Sequence, residues 1–262
     1  SREMEPISDE FMREKYEIFL AGCEDGDPTA CYSLGEYFAV VEENKTKAVE
    51  IFEKNCRSRT HGSSCFSLGR LYCTSSLHCM RRSSARAQSH HLSLSPTIHL
   101  LSRVPPPVRG QGGLEKSSTK ALASWERGCV EGAHGQCCDF ADLAQSVQVP
   151  PEGIRRSPAR AMKMATRGCD LEFAPSCYRL ACAYLTGTGP YDKVRKSGPK
   201  ALDFMRKACD LGYGAACFNL AKMYNDGDID GVPKNLVKSH EFAERTSSIE
   251  KASRAAMGVP EQ

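Results

Sequence analysis

Apolar positions recur at helical spacing around pairs of cysteines along most of the chain. After each second cysteine an apolar residue stands at +3, a small residue at +4 and usually an aromatic at +7, as with Leu180, Ala181 and Tyr184. These offsets place the three residues on one face of a helix. A second apolar stripe, such as Ala201 and Met205, runs up to each first cysteine. The pattern therefore predicts two amphipathic helices, A and B, for each cysteine pair.

Ten of the fourteen cysteines belong to these pairs. We pair them as Cys23/Cys31, Cys56/Cys65, Cys129/Cys137, Cys169/Cys177 and Cys209/Cys217. The offset within a pair is 8 residues, except for 9 in the second, and successive pairs begin 33, 73, 40 and 40 residues apart. Periods of this size are typical of stacked repeats of one supersecondary unit.

Each repeat is predicted to consist of a helix A that ends at a cysteine, a turn, and a helix B that begins at the next cysteine. Gly26, Gly132 and Gly212 lie three residues past the first cysteine, where a left-handed residue ends a helix. A tight turn would bring the two cysteines within disulfide reach. The alternative is that they are reduced and buried as small hydrophobic residues. Five matched pairs favour disulfides in an oxidising compartment, each worth about 2–3 kcal/mol.

The 73-residue interval divides the chain into three predicted regions. Residues 10–73 hold repeats 1 and 2, residues 74–109 form a disordered insertion, and residues 110–255 hold repeats 3–5 and a capping helix with Ser247 at the cysteine position. The insertion has three consecutive prolines, five arginines and no acidic residue. It therefore accounts for the formal net charge of +3, so nucleic-acid binding is not expected. Translation of non-coding sequence is an alternative origin for it.

The stretches DGDPTACYSLGEYF and KACDLGYGAACFNLAKMY share the pattern C-x-x-L-[GA]-x-x-[YF]. This pattern resembles the Sel1-like repeat, a relative of the tetratricopeptide repeat, and the paired cysteines resemble its cysteine-rich branch. The likeness covers roughly residues 10–73 and 110–255. It implies an all-α solenoid of about eleven short helices. Its αα-hairpins would form a right-handed superhelix with intra-repeat disulfides.

The cysteine-rich branch also carries expectations about function. The likeness is greatest to family members that are located in the mitochondrial intermembrane space and help to build respiratory complex IV. It implies protein clients of respiratory-chain assembly and import by the oxidative import machinery without a cleaved presequence. Residues 1–16 carry acids and no apolar run of a signal peptide, which is compatible. The alternatives are a secreted Sel1-like protein with β-lactamase-type hydrolase activity and a general Sel1-like adaptor.

No catalytic residue, cofactor site or metal site is predicted. The chain has no C-x-x-C motif, and GTGPYDK lacks the complete phosphate-loop pattern. A zinc finger would need two ligand pairs at closer, more regular spacing than the residues Cys73, His78, Cys79, His90, His91 and His99 offer. No apolar run approaches the ~18 residues of a membrane span, so membrane insertion is not expected.

Four further side chains receive individual predictions. Cys138 and Cys182 are expected to be spare thiols on B helices, because they fall outside the cysteine pairing. His134 lies in the turn of the third repeat and is expected to be solvated. Trp125 falls at a core position of an A helix and is expected to pack there.

Overall fold

The computed structural model describes residues 9–58, 60–73, 114–192, 194–227 and 231–256. This part of the chain consists of eleven helices and contains no strand, which confirms the all-α prediction. The helices are α1 (Asp9–Glu24), α2 (Pro28–Val40), α3 (Lys45–Ser58), α4 (Gly62–Tyr72), α5 (Ser118–Val130), α6 (Gly135–Ser146), α7 (Pro158–Asp170), α8 (Ala174–Thr186), α9 (Gly198–Asp210), α10 (Gly214–Asp226) and α11 (Leu236–Ala256). The predicted insertion at 74–109 lies outside the described residues.

The described residues belong to two compact units. Unit 1 comprises residues 9–73 and 114–137, and unit 2 comprises residues 138–256 within the limits given above. In each unit, helices that are consecutive in sequence pack against one another, as expected for stacked helical hairpins.

Side-chain size sets how closely the helices of unit 1 pack. Gly35 and Gly69 occupy the small +4 position, and a Cβ atom at either would collide with an aromatic ring of the next A helix, Phe52 or Trp125. Trp125 is only 3% exposed, so its predicted packing role is confirmed. The small residue thus makes room for the large one.

The five described A helices that follow a B helix begin in the same way. The residue before the helix donates its backbone N–H to the carbonyl of the +7 residue of the preceding B helix, as Ser117 does to Tyr72 (3.0 Å) and Ser197 to Tyr184 (2.9 Å). Side chains of Ser117 and Ser197 also accept hydrogen bonds from backbone N–H groups of the first turn. These contacts explain why Ser precedes α5 and α9.

A lysine near the start of the A helix covers the aromatic +7 residue. The ammonium groups lie 5.1–5.4 Å from the ring centroids in the pairs Lys47/Phe38, Lys120/Tyr72, Lys200/Tyr184 and Lys238/Tyr224. Cation–π attraction therefore links the lysine and aromatic positions that recur in the sequence.

The core of unit 2 is continuous from α7 to α11. Tyr184 stacks on Phe204 and Tyr224 stacks on Phe242, with ring centroids 5.7 and 5.8 Å apart. In α11, Phe242 is buried while Ser247, at the position of the missing cysteine, is exposed. Helix α11 thus packs as a sixth A helix on the end of the array.

Candidate functional site

Disulfides join the end of helix A to the start of helix B, as the fold prediction required. Four have Cα–Cα distances of 4.4–4.9 Å. They are Cys23–Cys31, Cys56–Cys65, Cys169–Cys177 and Cys209–Cys217. Such separations are normal for disulfides. These eight cysteines are therefore oxidised in the structure, and the alternative that they are reduced and buried is wrong for them.

The third repeat corrects the predicted pairing. Cys129 and Cys138 are disulfide-bonded, whereas Cys137 is a free, fully buried thiol. The expectation that Cys137 is bonded and Cys138 is spare was therefore wrong. The thiol of Cys137 points instead at the carbonyl of Gly62, to which it donates a hydrogen bond (3.5 Å).

The physical reason is a turn that is one residue longer. In the first repeat the N–H of Asp27 reaches back five residues to the carbonyl of Gly22. In the second and third repeats His61 and His134 reach back six residues, to Asn55 and Gly128. The added residue moves the start of helix B, so the bonding cysteine moves from Cys137 to Cys138.

Backbone conformation shows the same shift. A left-handed residue stands five positions before the bonded second cysteine in every repeat, namely at Gly26, Thr60, Ala133, Glu172 and Gly212. Gly132, predicted to be left-handed, does not have a positive φ. It is glycine for another reason, because a Cβ there would crowd the Thr60 carbonyl and Gly62 Cα.

Cys137 occupies a position that is small throughout the array. The residue before the first cysteine touches the residue before the second, as shown by Gly22 with Ala30, Gly168 with Ser176, and Gly128 with Cys137. In the second repeat the equivalent contact is a hydrogen bond from Asn55 to Ser64 (2.7 Å). Cys137 is thus the counterpart of alanine and serine, and burial raises the pKa of its thiol.

The corrected register places two carboxylates in the interior of unit 2. Asp139 and Asp142, on α6, take the +1 and +4 positions that hold Tyr178 and Ala181 on α8. Asp142 is fully buried and Asp139 is 7% exposed. The −4 position of α7, which holds Phe or Trp in unit 1, is the small residue Ala165.

One arginine serves both carboxylates. The Arg179 guanidinium donates to Asp142 Oδ2 from Nε (2.9 Å) and pairs with Asp139 Oδ1 through Nη2. The Tyr191 hydroxyl donates to Asp142 Oδ2 (2.8 Å), and the Ser176 hydroxyl donates to Asp139 (3.3 Å). We call Asp139, Asp142, Arg179 and Tyr191 the acidic cluster. Asp142 Oδ1 is buried without a hydrogen-bond partner in the structure.

Burial dominates the ionisation of this cluster. It raises the pKa of Asp142 to about 6, although attraction by Arg179 and the hydrogen bond from Tyr191 oppose the shift. Burial likewise raises the pKa of Tyr191. Asp139, Asp142 and Arg179 therefore form a buried ion network, which the hydroxyl of Tyr191 completes through a hydrogen bond.

The remaining predicted groups lie in ordinary packing environments. Cys182 is a free, half-buried thiol whose pKa is raised by burial, which disfavours the reactive thiolate. His134 is half-buried against Phe66, with ring centroids 5.6 Å apart, and burial lowers its pKa. The prediction that His134 is solvated was therefore wrong.

The described residues hold neither a cluster of metal-binding side chains nor a membrane-spanning helix. Across the described ranges, His, Cys, Asp and Glu side chains nowhere gather in threes at metal-binding distance. Within those same ranges no helix combines the length and apolarity needed to cross a bilayer. His78, Cys79, His90, His91 and His99 lie outside the described residues.

Sequence reasoning missed the acidic cluster and could have found the shifted cysteine. The segments HGSSC at 61–65 and HGQCC at 134–138 align without a gap, and this alignment equates Cys65 with Cys138. No local signal points to Arg179 or Tyr191, because their partners are 37–49 residues away in sequence.

Comparison with known proteins supports the repeat assignment. Residues 28–57, 174–213 and 214–248 match the Sel1 repeat. All three matches run from helix B of one repeat into helix A of the next, namely from α2 into α3, from α8 into α9 and from α10 into α11.

Two known proteins illustrate the extent of the similarity. The chain is 38% identical over 48 residues to mouse (Mus musculus) cytochrome c oxidase assembly factor 7, which is 18% of this chain and 21% of that protein. It therefore spans about a fifth of the length of the curated relative that it matches. The crystal structure of a Sel1 repeat protein from Oxalobacter formigenes superposes with a TM-score of 0.61 at 15% identity.

That superposition covers 90% of this chain and 79% of the Oxalobacter formigenes protein, and it shows a shared fold. The same repeat is indicated by the sequence matches, by the helical hairpins and by the disulfides within those hairpins. Residues 28–57, 174–213 and 214–248 are therefore Sel1 repeats.

Proposed function

We propose that this protein is a scaffold of the mitochondrial intermembrane space that binds client proteins during assembly of cytochrome c oxidase. The observation that carries the proposal is a Sel1 repeat array whose helical hairpins are closed by disulfides. The partial likeness to mouse cytochrome c oxidase assembly factor 7 supports the choice of pathway.

Disulfides give this scaffold a physical advantage in binding. Each closes a short loop at the tip of a hairpin, which lowers the entropy of the unfolded chain and is worth about 2–3 kcal/mol. Hairpins held in place lose little conformational freedom when a client docks. The array therefore contributes a preorganised surface, and its exposed side chains select the client.

The disulfides also bear on the compartment. They form and persist in oxidising compartments and are rare in a reducing cytosol. Helix hairpins with a pair of cysteines at the turn would suit oxidation during import, so the oxidative import machinery is the second proposed partner. A reduced adaptor of the cytosol would keep these cysteines as thiols.

Tagging the protein at its native expression level for proximity labelling tests the proposal. We expect labelled neighbours to be intermembrane-space proteins and factors of complex IV assembly. Predominantly cytosolic or nuclear neighbours would remove the mitochondrial assignment.

Two variants on one helix provide a matched comparison for that experiment. Cys177→Ser breaks the disulfide to Cys169, whereas Cys182→Ser removes only a free thiol of α8. We expect the first to reduce the amount of protein retained in the intermembrane space and the second to leave it unchanged. Equal retention of both variants would contradict trapping by oxidative folding.

A further inference from the structure

A groove of about 810 Å³ opens in unit 2 beside the start of α9. Its walls are α7, the end of α8, the loop that follows α8, and the first turn of α9. The residues that line it include Met162, Val194, Arg195, Lys196, Pro199 and Lys200. We call this feature the α9 groove.

The α9 groove is cationic. Arg195, Lys196 and Lys200 are exposed, and none of them forms an ion pair with a carboxylate of the described residues. The one carboxylate of the lining, Asp192, is already engaged. Arg156 donates to both of its oxygens, at 2.7 and 2.8 Å. The three free cations therefore determine the charge that a ligand meets.

Contacts with the fold hold two of these cations, Lys196 and Lys200. The stem of Lys196 packs against Gly187, where a Cβ atom would collide with it. The ammonium of Lys200 lies 5.2 Å from the centroid of the Tyr184 ring. Arg156 also donates to the carbonyl of Pro190 (3.1 Å), which ties down the loop between α8 and α9. Side chains held in this way lose less freedom on binding.

An apolar strip accompanies the charges. Met162 and Val194 are half-buried in the wall of the α9 groove, and Pro199 lies on its rim. The equivalent loop after α2 differs, because it carries Glu42 and Glu43 and its acidic side chains would repel a carboxylate. A cationic groove with apolar walls complements a segment that has both carboxylates and an apolar side chain.

Two other classes of anionic ligand fit less well. Single-stranded nucleic acid binds on open aromatic faces, but Lys200 already covers one face of Tyr184. Membrane-surface binding uses large exposed apolar side chains, and the exposed ones of the described chain, such as Phe218 and Val237, do not line this groove.

We infer that the α9 groove is a docking site for an extended acidic segment of a partner protein. Carboxylates of the segment pair with Arg195, Lys196 and Lys200, and an apolar side chain contacts Met162 and Val194. This inference rests on the proposed scaffold function, to which it adds the chemistry of the partner.

Fluorescence anisotropy with purified, oxidised full-length protein tests it. The probe is a short labelled peptide of alternating Glu and Leu, and the matched peptide replaces Glu by Gln. We expect Arg195→Glu/Lys196→Glu to weaken binding of the acidic peptide by about tenfold or more. Binding by the wild type should also weaken as salt is added.

The control variant makes the same change in charge elsewhere in unit 2. Lys222 on α10 and Arg254 on α11 are both exposed, and neither lines the α9 groove. Lys222→Glu/Arg254→Glu should bind the acidic peptide within about twofold of the wild type, because distant exposed charges are largely screened.

Three outcomes would overturn the inference. They are equal weakening by both double variants, equal binding of the Glu and Gln peptides, and tighter binding of a single-stranded oligonucleotide or of phosphatidylserine-containing vesicles at the same groove. None of these outcomes affects the scaffold proposal, which the proximity-labelling experiment tests independently.

Discussion

Helices α6 and α8 are the same element in successive repeats, yet one is built around charges and the other around apolar packing. At the +1, +4 and +7 positions α8 carries Tyr178, Ala181 and Tyr184, whereas α6 carries Asp139, Asp142 and Gln145. Both helices bury these positions wholly or partly. The comparison shows that the fold depends on filled volume and satisfied polar groups at these sites more than on residue type.

Apolar contacts and buried ion networks lose different amounts of stability when one side chain is removed. An apolar contact loses its own packing energy when one side is truncated. A buried ion network loses more, because removal of one member leaves the others desolvated without a counter-charge. The contact between α6 and α8 should therefore be more sensitive to single substitutions than an apolar contact such as Tyr184 with Phe204.

The largest effect is expected for Arg179→Met. It removes the cation that faces both Asp139 and Asp142, and stranding buried carboxylates in this way costs about 3–5 kcal/mol. Urea unfolding would measure the loss. Arg254→Met, an exposed arginine of α11, is the control and should have little effect. A loss for Arg179→Met no greater than the control would contradict the energetic importance of the acidic cluster.

The next effect separates the two adjacent cysteines of α6. Cys138→Ser should cost about 2–4 kcal/mol through loss of a disulfide. Cys137→Ser should be nearly neutral, because Ser64 and Ser176 already occupy the equivalent position. Alkylation of the denatured, unreduced protein followed by mass spectrometry counts free thiols. Cys137→Ser should lower the number of free thiols by one. An increase in that number would indicate that Cys129 is bonded to Cys137 instead.

A smaller effect depends on pH. The folded pKa of Asp142, about 6, exceeds that of an unfolded aspartate, so the folded state binds more protons between about pH 4 and 6. The contribution of Asp142 to stability is therefore greatest below about pH 4 and is lost as the pH rises through 6. Asp142→Asn cannot titrate. Relative to wild type it should gain about 1–3 kcal/mol between pH 4 and 7. A constant difference across this range would show that Asp142 is not shifted.

The smallest effect concerns the aromatic +7 position. Lys200→Met removes the cation over Tyr184 and should destabilise the protein by less than about 1 kcal/mol. Lys222→Met, which removes an exposed lysine of α10, is the comparison and should change the melting temperature less. If the two variants have the same melting temperature, the lysine recurs at this position for a reason other than stability.

Much of the fold could be predicted because each repeat encodes it locally. Apolar spacing predicted the A and B helices, and the small +4 residue predicted close packing, which Gly35 and Gly69 confirm against Phe52 and Trp125. The third disulfide was mispredicted because an offset of eight residues was carried over from the first, fourth and fifth repeats. The two histidine–glycine turns are longer by one residue, and a turn length is a property of the backbone path, which an offset between cysteines does not reveal.

By itself, the sequence determined the class of the fold, the repeat and the fact that hairpins are closed by cysteines, because these features arise from residues close together in the chain. Only the tertiary structure decided which of Cys137 and Cys138 is bonded, and that Arg179 and Tyr191 meet Asp142. It also decided that Asp192 is neutralised by Arg156, while Arg195 and Lys196 form no ion pair with the carboxylates that the structure describes. These outcomes depend on contacts between successive repeats, and the energy of a buried charge is set by what surrounds it in space.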